Sequence, residues 1–295
     1  AYYDVQLQRD SLELARQNVS EHLKIYNLIQ KAVRGGRLSE ANLSQVEARF
    51  EGAKADAARI KERLRRAESA YKREVGLFPQ NLEIPDVRDH ANPEDPNMLV
   101  QRALEGNPTL KVFATDIEVA KAEFEQTKSP FYPDIDLRLN ARRTDDIAGV
   151  DAREDSLSAI IVLNWNLYSG GRDTARREQF LYLHKAAQDN LADQIRQVEN
   201  DVLSSFARLK SARERIEQLT IEIKSNRRLV DAYLKQFQLG RRSLLDVLDI
   251  QSELFQSQTA LINAKARRDL EILTQLNLTG RLLSHFDIDY PVSPS

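Results

Sequence analysis

The sequence predicts a mainly α-helical protein with one β-hairpin, and three observations lead to this fold class. Charged residues make up 30% of the chain, while glycine and proline are scarce, a composition typical of long helices. Apolar residues follow a helical period over most of the chain, but the period changes to two within 133–143 and 156–168. A segment near the N-terminus also reappears 204 residues later, which indicates two related helical hairpins.

The repeat is marked by its glycines. At the offset of 204 residues, Gly36 corresponds to Gly240 and Gly76 to Gly280 without a gap. A period of this length is not a solenoid unit, so it suggests the duplication of a whole structural half. The repeat length also predicts that the natural chain begins about a hundred residues upstream of this one.

The first 76 residues predict a helical hairpin. Gly35-Gly36 ends the helix over 1–33, and a second helix over about 40–75 follows, which Ser39 or Asn42 can cap. Prolines then predict an irregular segment up to residue 97, because proline removes a backbone donor. The whole chain divides in order into a first helical hairpin (1–76), a loop segment (77–97), a helix (98–130), a β-hairpin (131–169), a long helical hairpin (170–283) and a tail (284–295).

Two stretches alternate between apolar and polar residues. Ile135, Leu137 and Leu139 alternate with charged or amide side chains, and the odd positions of 157–167 are all apolar. A period of two over this length predicts two strands joined by a polar loop. Their length matches the roughly 9–11 residues of a tilted strand that crosses a bilayer. On pattern alone, a hairpin packed on a soluble core is the alternative.

The longest helix is predicted from Arg172 to about Gln238, where no proline or glycine occurs. Its apolar residues form a heptad-like seam with Asn226 in the one gap. At about 1.5 Å per residue, this helix is about 100 Å long and must pack lengthwise on another rod. Gly240 ends it, and a helix over about 244–283 returns antiparallel.

Composition and motifs exclude several functions. A net charge of −2 lacks the excess of positive charge that is typical of nucleic-acid-binding proteins. The absence of cysteine is compatible with an oxidising compartment. The four histidines are isolated, with no metal-ligand spacing. No phosphate loop or nucleophile elbow is present, so we predict no enzyme, no catalytic residue, no cofactor and no metal. No apolar run is long enough for a transmembrane helix.

Strands of bilayer length need closure, because their edges leave backbone groups unsatisfied. One hairpin per chain can close only by oligomerising, and the attached rods must then assemble coaxially. We therefore expect long antiparallel helical hairpins forming an oligomeric α-barrel, with the strands contributing to a transmembrane β-barrel. The product would be a water-filled conduit. The alternative of another class is a soluble coiled-coil scaffold.

Three motifs resemble those of TolC-family outer-membrane factors, the channels of efflux and type I secretion. They are the second tip from Gly240 to Leu254, the strand-to-helix junction from Asn166 to Arg172, and the helix start at Asn107-Pro108. The resemblance implies a homotrimer in outer-membrane lipid that extends into the periplasm. Its implied partners are a periplasmic adaptor and an inner-membrane ABC or other transporter. Residues 237–254 look most like the branch for type I secretion of proteins or adhesins, with multidrug efflux as the alternative.

The resemblance also suggests roles for tip residues. It implies that Asp246 and Asp249 line the periplasmic constriction, where a ring of carboxylates would attract cations. On the residues alone, Asp246 could equally cap its helix and Asp249 could be solvated. Arg242 matches a position that locks the tips closed, but Phe237 and Asn42 depart from the family pattern around it.

The remaining tip residues are turn and contact positions. Gly36 and Gly240 are expected to supply the left-handed backbone of the two turns. Four neighbouring side chains are candidates for contact with the adaptor: Arg37, Leu38, Leu239 and Arg241. A plain solvated turn explains these four equally well.

Overall fold

A computed structural model describes residues 1–83, 87, 95–145 and 153–288. The elements in chain order are α1 (Tyr2–Arg34), α2 (Glu40–Val75), α3 (Pro96–Gly106), α4 (Pro108–Gln126), β1 (Asp134–Asp145), β2 (Arg153–Asn164), α5 (Arg172–Gln238), α6 (Leu244–Leu278) and α7 (Leu282–His285), with a 3-10 turn at Ser129–Phe131. The predicted helical fold with one β-hairpin is confirmed. Residues 84–86 and 88–94 of the predicted loop at 77–97, and residues 289–295 of the predicted tail, lie outside the described residues.

The chain forms two compact units. The first contains residues 1–103 and 201–295, and the second contains residues 104–200. The first unit therefore holds the first hairpin (α1 and α2) and most of the second hairpin (α5 and α6). The second unit holds α4, the strands and the N-terminal part of α5.

The first unit is built on the apolar seams of its long helices. Val202 and Leu209 of α5 are buried, as the heptad-like spacing predicts. Asn226, in the gap of that seam, is also buried, and its Nδ2 donates to Ser257 Oγ of α6 at 3.4 Å. A tip core forms where the two hairpins meet, and it consists of Ile25, Ile29, Val46, Leu244, Val247 and Leu248.

The end of α6 differs from the prediction. The helix stops at Leu278 rather than near residue 283. Thr279 Oγ1 donates to the carbonyl of Gln275 at 2.8 Å, and Gly280 takes a φ of +69°. A left-handed glycine at this place terminates a helix, so the following apolar residues form the short separate α7.

The β-hairpin of the second unit pairs its apolar residues with each other. Leu137 lies opposite Ile161, and Ile135 lies opposite Leu163. These side chains are exposed, with 64% of Leu137 and 73% of Ile161 accessible. The second strand spans Arg153–Asn164, earlier than predicted, because it follows the register of β1. None of the helices in the described ranges carries an apolar run long enough to cross a membrane.

Candidate functional site at the two hairpin tips

The first tip (34–42) is closed by a helix-ending turn. The amide of Arg37 donates to the carbonyl of Ala32 at 2.9 Å, and that of Gly36 donates to Val33 at 2.9 Å. Gly36 has a φ of +71°. This wrap-around hydrogen bond with a left-handed glycine is the Schellman pattern, which satisfies carbonyls that the helix leaves free.

The second tip (239–247) repeats the same turn. The amide of Arg241 donates to Gln236 at 2.9 Å, and that of Gly240 donates to Phe237 at 2.9 Å. The φ of Gly240 is +72°. The repeat seen in the sequence is therefore present in the backbone, with donors and acceptors at the same offset.

The helix that follows each tip, α2 or α6, begins with a capping box. At the first tip, the Ser39 amide donates to Asn42 Oδ1 at 3.3 Å. At the second, the Ser243 amide donates to Asp246 Oδ2 at 3.3 Å, and the Asp246 amide donates to Ser243 Oγ at 3.1 Å. Asp246 thus takes part in the cap of α6. It stands where the first tip has Asn42, so the second tip carries a carboxylate in place of a neutral amide.

Arg242 is held by residues of its own hairpin. Its Nε donates to Gln236 Oε1 at 3.2 Å, and its guanidinium carbon lies 3.9 Å from the ring centroid of Tyr233. Its Nη1 lies 3.8 Å from Asp246 Oδ2. The cation–π contact and the ion pair place a positive charge beside the capping carboxylate.

Asp249 is bound from the other hairpin. Arg49 Nη2 of α2 donates to Asp249 Oδ1 of α6 at 3.1 Å. The Arg49 side chain is 44% exposed and that of Asp249 is 59% exposed. The two predicted constriction residues therefore have different counter-charges. Asp246 pairs with Arg242 of its own tip, and Asp249 pairs with Arg49 of the other hairpin.

The remaining predicted residues surround one groove between the tips. The groove has a volume of about 780 Å³, and its lining includes Arg37, Leu38, Asn42, Phe237, Gly240 and Arg242. Leu38 and Phe237 are half-buried against the tip core. Leu239, by contrast, is 70% exposed, and Gly36 and Arg241 are exposed beside the groove.

Several residues of this site were not predicted. Arg49, Tyr233 and Gln236 each contact a predicted residue, yet Arg49 stands 200 positions from Asp249. No local sequence motif predicts a contact between residues so far apart in the chain. Arg242 and Gln236, only six apart around a glycine turn, could have been paired from the sequence.

His22 belongs to α1 and is 4% exposed. Burial lowers the pKa of His22, and the positive charge of Arg49 lowers it further, while Glu21 acts in the opposite direction. Its buried Nδ1 has no hydrogen-bond partner among the residues that the structure describes. Within the described ranges, no cluster of three or more His, Asp or Glu side chains could hold a metal ion.

Comparison with known proteins matches this chain to one kind of protein. The model of a family described as "Outer membrane efflux protein" matches residues 99–280. The outer membrane efflux protein BepC of Brucella suis is 26% identical over 286 residues, which cover 96% of this chain and 62% of BepC. The alkaline protease secretion protein AprF of Pseudomonas aeruginosa is 26% identical over 275 residues, which cover 90% of this chain and 56% of AprF.

A solved structure shares the fold. The Campylobacter jejuni CmeC outer membrane channel superposes with a TM-score of 0.83 at 13% identity, over 95% of this chain and 61% of that one. At this identity the likeness concerns the fold alone. The chain spans less than two thirds of the length of each of these three proteins.

Proposed function

The chain belongs to the outer membrane efflux protein family, and on that premise we propose that the full-length protein is the outer-membrane exit duct of a tripartite export system. The proposed duct is a homotrimer that works with a periplasmic adaptor and an inner-membrane transporter. In it, the hairpin at 131–169 enters the outer membrane and the helical hairpins at 1–76 and 170–283 extend into the periplasm.

The apolar face of the β-hairpin carries this proposal. Leu137 and Leu139 lie opposite Ile161 and Ala159, and Leu137, Leu139 and Ile161 are each more than 60% exposed. On the other face, the even positions of 136–142 in β1 are all polar, whereas β2 contributes Ile160 and Val162 beside Ser156 and Ser158. One apolar face and one mostly polar face is the pattern of a strand pair between lipid and a water-filled lumen. A soluble scaffold would need to bury this face.

The tips are the proposed periplasmic mouth. Asp246 and Asp249 are one helical turn apart on α6, so threefold symmetry would bring their carboxylates into rings around the axis. Such rings would favour cations over anions. The exposed Leu239 and Arg241, with Arg37 and Leu38 at the groove, are the proposed contacts for the adaptor.

Type I secretion of a protein or adhesin is the cargo class that we propose. It is supported by the tip sequence 237–254 and by the similarity to AprF, which is named for protease secretion. Multidrug efflux is the second candidate, favoured by the equal identity to BepC, which is named for efflux.

Deletion of the gene in its own host tests the two candidates together. We expect the deletion strain to retain a large secreted protein inside the cell, and complementation to restore its export. Sensitivity to detergents and antibiotics should change little. Unimpaired secretion with strongly increased drug sensitivity would replace protein secretion by efflux, and the absence of both effects would overturn the duct.

The role of the carboxylates is tested in planar bilayers. The variant in which Asp246→Asn and Asp249→Asn are combined should pass anions more readily than the wild type, because the ring loses its negative charge. Both changes keep the side-chain size and the capping acceptor. Unchanged ion selectivity would refute the constriction role while leaving the duct intact.

A further inference from the structure

We propose that Arg49, on the first hairpin, is a specificity-determining residue of the pore mouth because it masks the charge of Asp249 on the second hairpin. The inference rests on the proposed function, since it concerns the charge that a permeating ion meets at the constriction. It adds a residue outside both tips to the proposed site, and it links the charge of the mouth to the contact between hairpins.

Packing places Arg49 where it can reach Asp249. Val46 and Ala53 are buried residues of α2, three before and four after Arg49, so all three share one helix face. Phe50 next to it stacks on Tyr26 of α1, with ring centroids 5.9 Å apart. The stem of Arg49 therefore starts at the hairpin contact, and its guanidinium extends to the surface.

The position of Asp249 on α6 is also fixed by buried neighbours. Its neighbours Leu248 and Ile250 are buried, and Leu248 belongs to the tip core. The carboxylate lies at the edge of this contact and receives Arg49 Nη2 at 3.1 Å. A hydrogen-bonded ion pair of this length holds the two charges close enough to cancel most of their field at a distance.

The two aspartates respond differently to a separation of the hairpins. The counter-charge of Asp246 is Arg242, four residues earlier in the same tip, at 3.8 Å. That pair lies within the second hairpin and would move with it. The Arg49–Asp249 bridge joins α2 to α6, so a movement that separates these two helices would break it and unmask one carboxylate per chain.

Removal of the bridge should act on permeation more than on stability. Arg49 and Asp249 are 44% and 59% exposed, and ion pairs with this exposure contribute little to folding. The charge itself still acts on ions that pass near it. A unit charge about 6 Å from an ion in water changes the local ion concentration about threefold.

The experiment measures the cation-to-anion permeability ratio of the full-length protein in planar bilayers at about 0.1 M salt, where screening extends over about 10 Å. We expect Arg49→Gln to raise the ratio about three- to fourfold, because at this screening the unmasked charge changes the cation and anion concentrations about twofold each, in opposite directions. Arg49→Lys should stay near the wild type, because the charge is kept. Arg59→Gln is the matched control, since Arg59 pairs within α2 with Asp56 at 2.6 Å.

Each outcome decides the inference. An unchanged ratio in Arg49→Gln, or an equal rise in Arg59→Gln, overturns the role of Arg49 and leaves the duct standing. Failure of the wild-type protein to conduct overturns the proposed function and this inference with it. If Arg49→Gln does not assemble, Arg49→Met keeps the apolar stem, and an unchanged ratio in that variant overturns the inference as well. The melting temperature of Arg49→Gln should match that of the control, which separates a charge effect from a structural one.

Discussion

Arg208 of α5 and Glu271 of α6 form an ion pair with 2.7 Å between Nε and Oε1, although only 6% of the Glu271 side chain is exposed. The fully buried Ser205 donates to the other carboxylate oxygen at 3.0 Å. Burial by itself raises the pKa of Glu271, but the hydrogen bonds from Arg208 and Ser205, with the charges of Arg208 and Arg267, outweigh it and hold the pKa below its ordinary value. A charged carboxylate therefore links the two helices of the second hairpin.

Arg208→Ala should lower the free energy of unfolding by about 2 kcal/mol, because it leaves a buried carboxylate without its nearest counter-charge. The half-exposed position of Arg208 makes this less than the loss for a fully buried pair. Arg267→Ala is the control, since its Nη1 lies 3.6 Å from the same carboxylate and its side chain is 62% exposed. Urea unfolding followed by circular dichroism in detergent measures both, and equal losses would contradict the assignment. Because the folded pKa of Glu271 lies below the unfolded one, this stabilisation is present at neutral pH and is lost below about pH 4.

The tip glycines are predicted to matter through their backbone alone. A methyl group added at Gly36 or Gly240 would meet no atom of the described part of the chain within 4 Å, but both residues have φ values above +70°. Alanine at either place should cost about 1 kcal/mol of stability. Gly52→Ala, in the exposed middle of α2, is the control and should stabilise by about 0.5–1 kcal/mol. A loss at Gly52 as large as that at the tips would speak against the conformational explanation. Thermal unfolding of the three variants provides the comparison.

Asp246 has a capping role that is separable from its charge. Asp246→Asn recreates the Ser–Asn box of the first tip, so stability should change by less than about 0.5 kcal/mol. Asp246→Ala removes the acceptor for the Ser243 amide and should cost about 1 kcal/mol. Equilibrium unfolding distinguishes the two. Equal destabilisation by both variants would mean that the charge, and not the cap, stabilises the start of α6.

His22 predicts a pH dependence of stability. Because burial and Arg49 lower its folded pKa, the unfolded chain binds a proton more readily, and its stability contribution is complete above about pH 6.5 and falls as the pH decreases. The free energy of unfolding, measured between pH 7.5 and about 5, should therefore fall more steeply in the wild type than in His22→Gln. Arg49→Gln should also flatten the slope, because it removes the second cause. Parallel slopes in wild type and His22→Gln would exclude His22 as the sensing group.

The two faces of the β-hairpin are predicted to meet different surroundings. Cysteine at Leu137 or Ile161, which lie opposite each other, should react with lipid-soluble reagents in native membranes. Cysteine at Arg138, one residue along on the other face, is the control and should react with water-soluble reagents. Labelling of position 137 only by aqueous reagents would reject a membrane location for the hairpin.

Local signals in the sequence predicted much of this fold. The start of α2 and both ends of α5 agree with the structure, since Ser39, the Gly170-Gly171 turn and Gly240 are breakers or caps that act over a few residues. The left-handed turns at Gly36 and Gly240 were predicted for the same reason, while the helix cap at Asp246 was left open as the alternative to its constriction role. The family resemblance and the outer-membrane location are confirmed by the family match.

Other features depend on partners that are distant in the sequence. The bounds of β2 follow the register of β1, and the early end of α6 depends on the turn that Gly280 adopts. The clamp of Glu271 by Arg208 and the bridge from Arg49 to Asp249 were not predicted. In a chain with 30% charged residues, many pairs are possible, and helix periodicity does not select among them.

The sequence by itself determined the helices, the two glycine turns and the strand pair, because backbone preference and hydrophobic periodicity act over short distances. Only the tertiary structure decided which charges meet. Asp246 and Asp249 look alike in the sequence, yet one caps its own helix beside Arg242 and the other is bound by Arg49 of the first hairpin. The reason is geometric. The packing of α1 and α2 against α6 in the tip core decides which residue of α6 lies opposite Arg49, and no local signal in the sequence encodes that alignment.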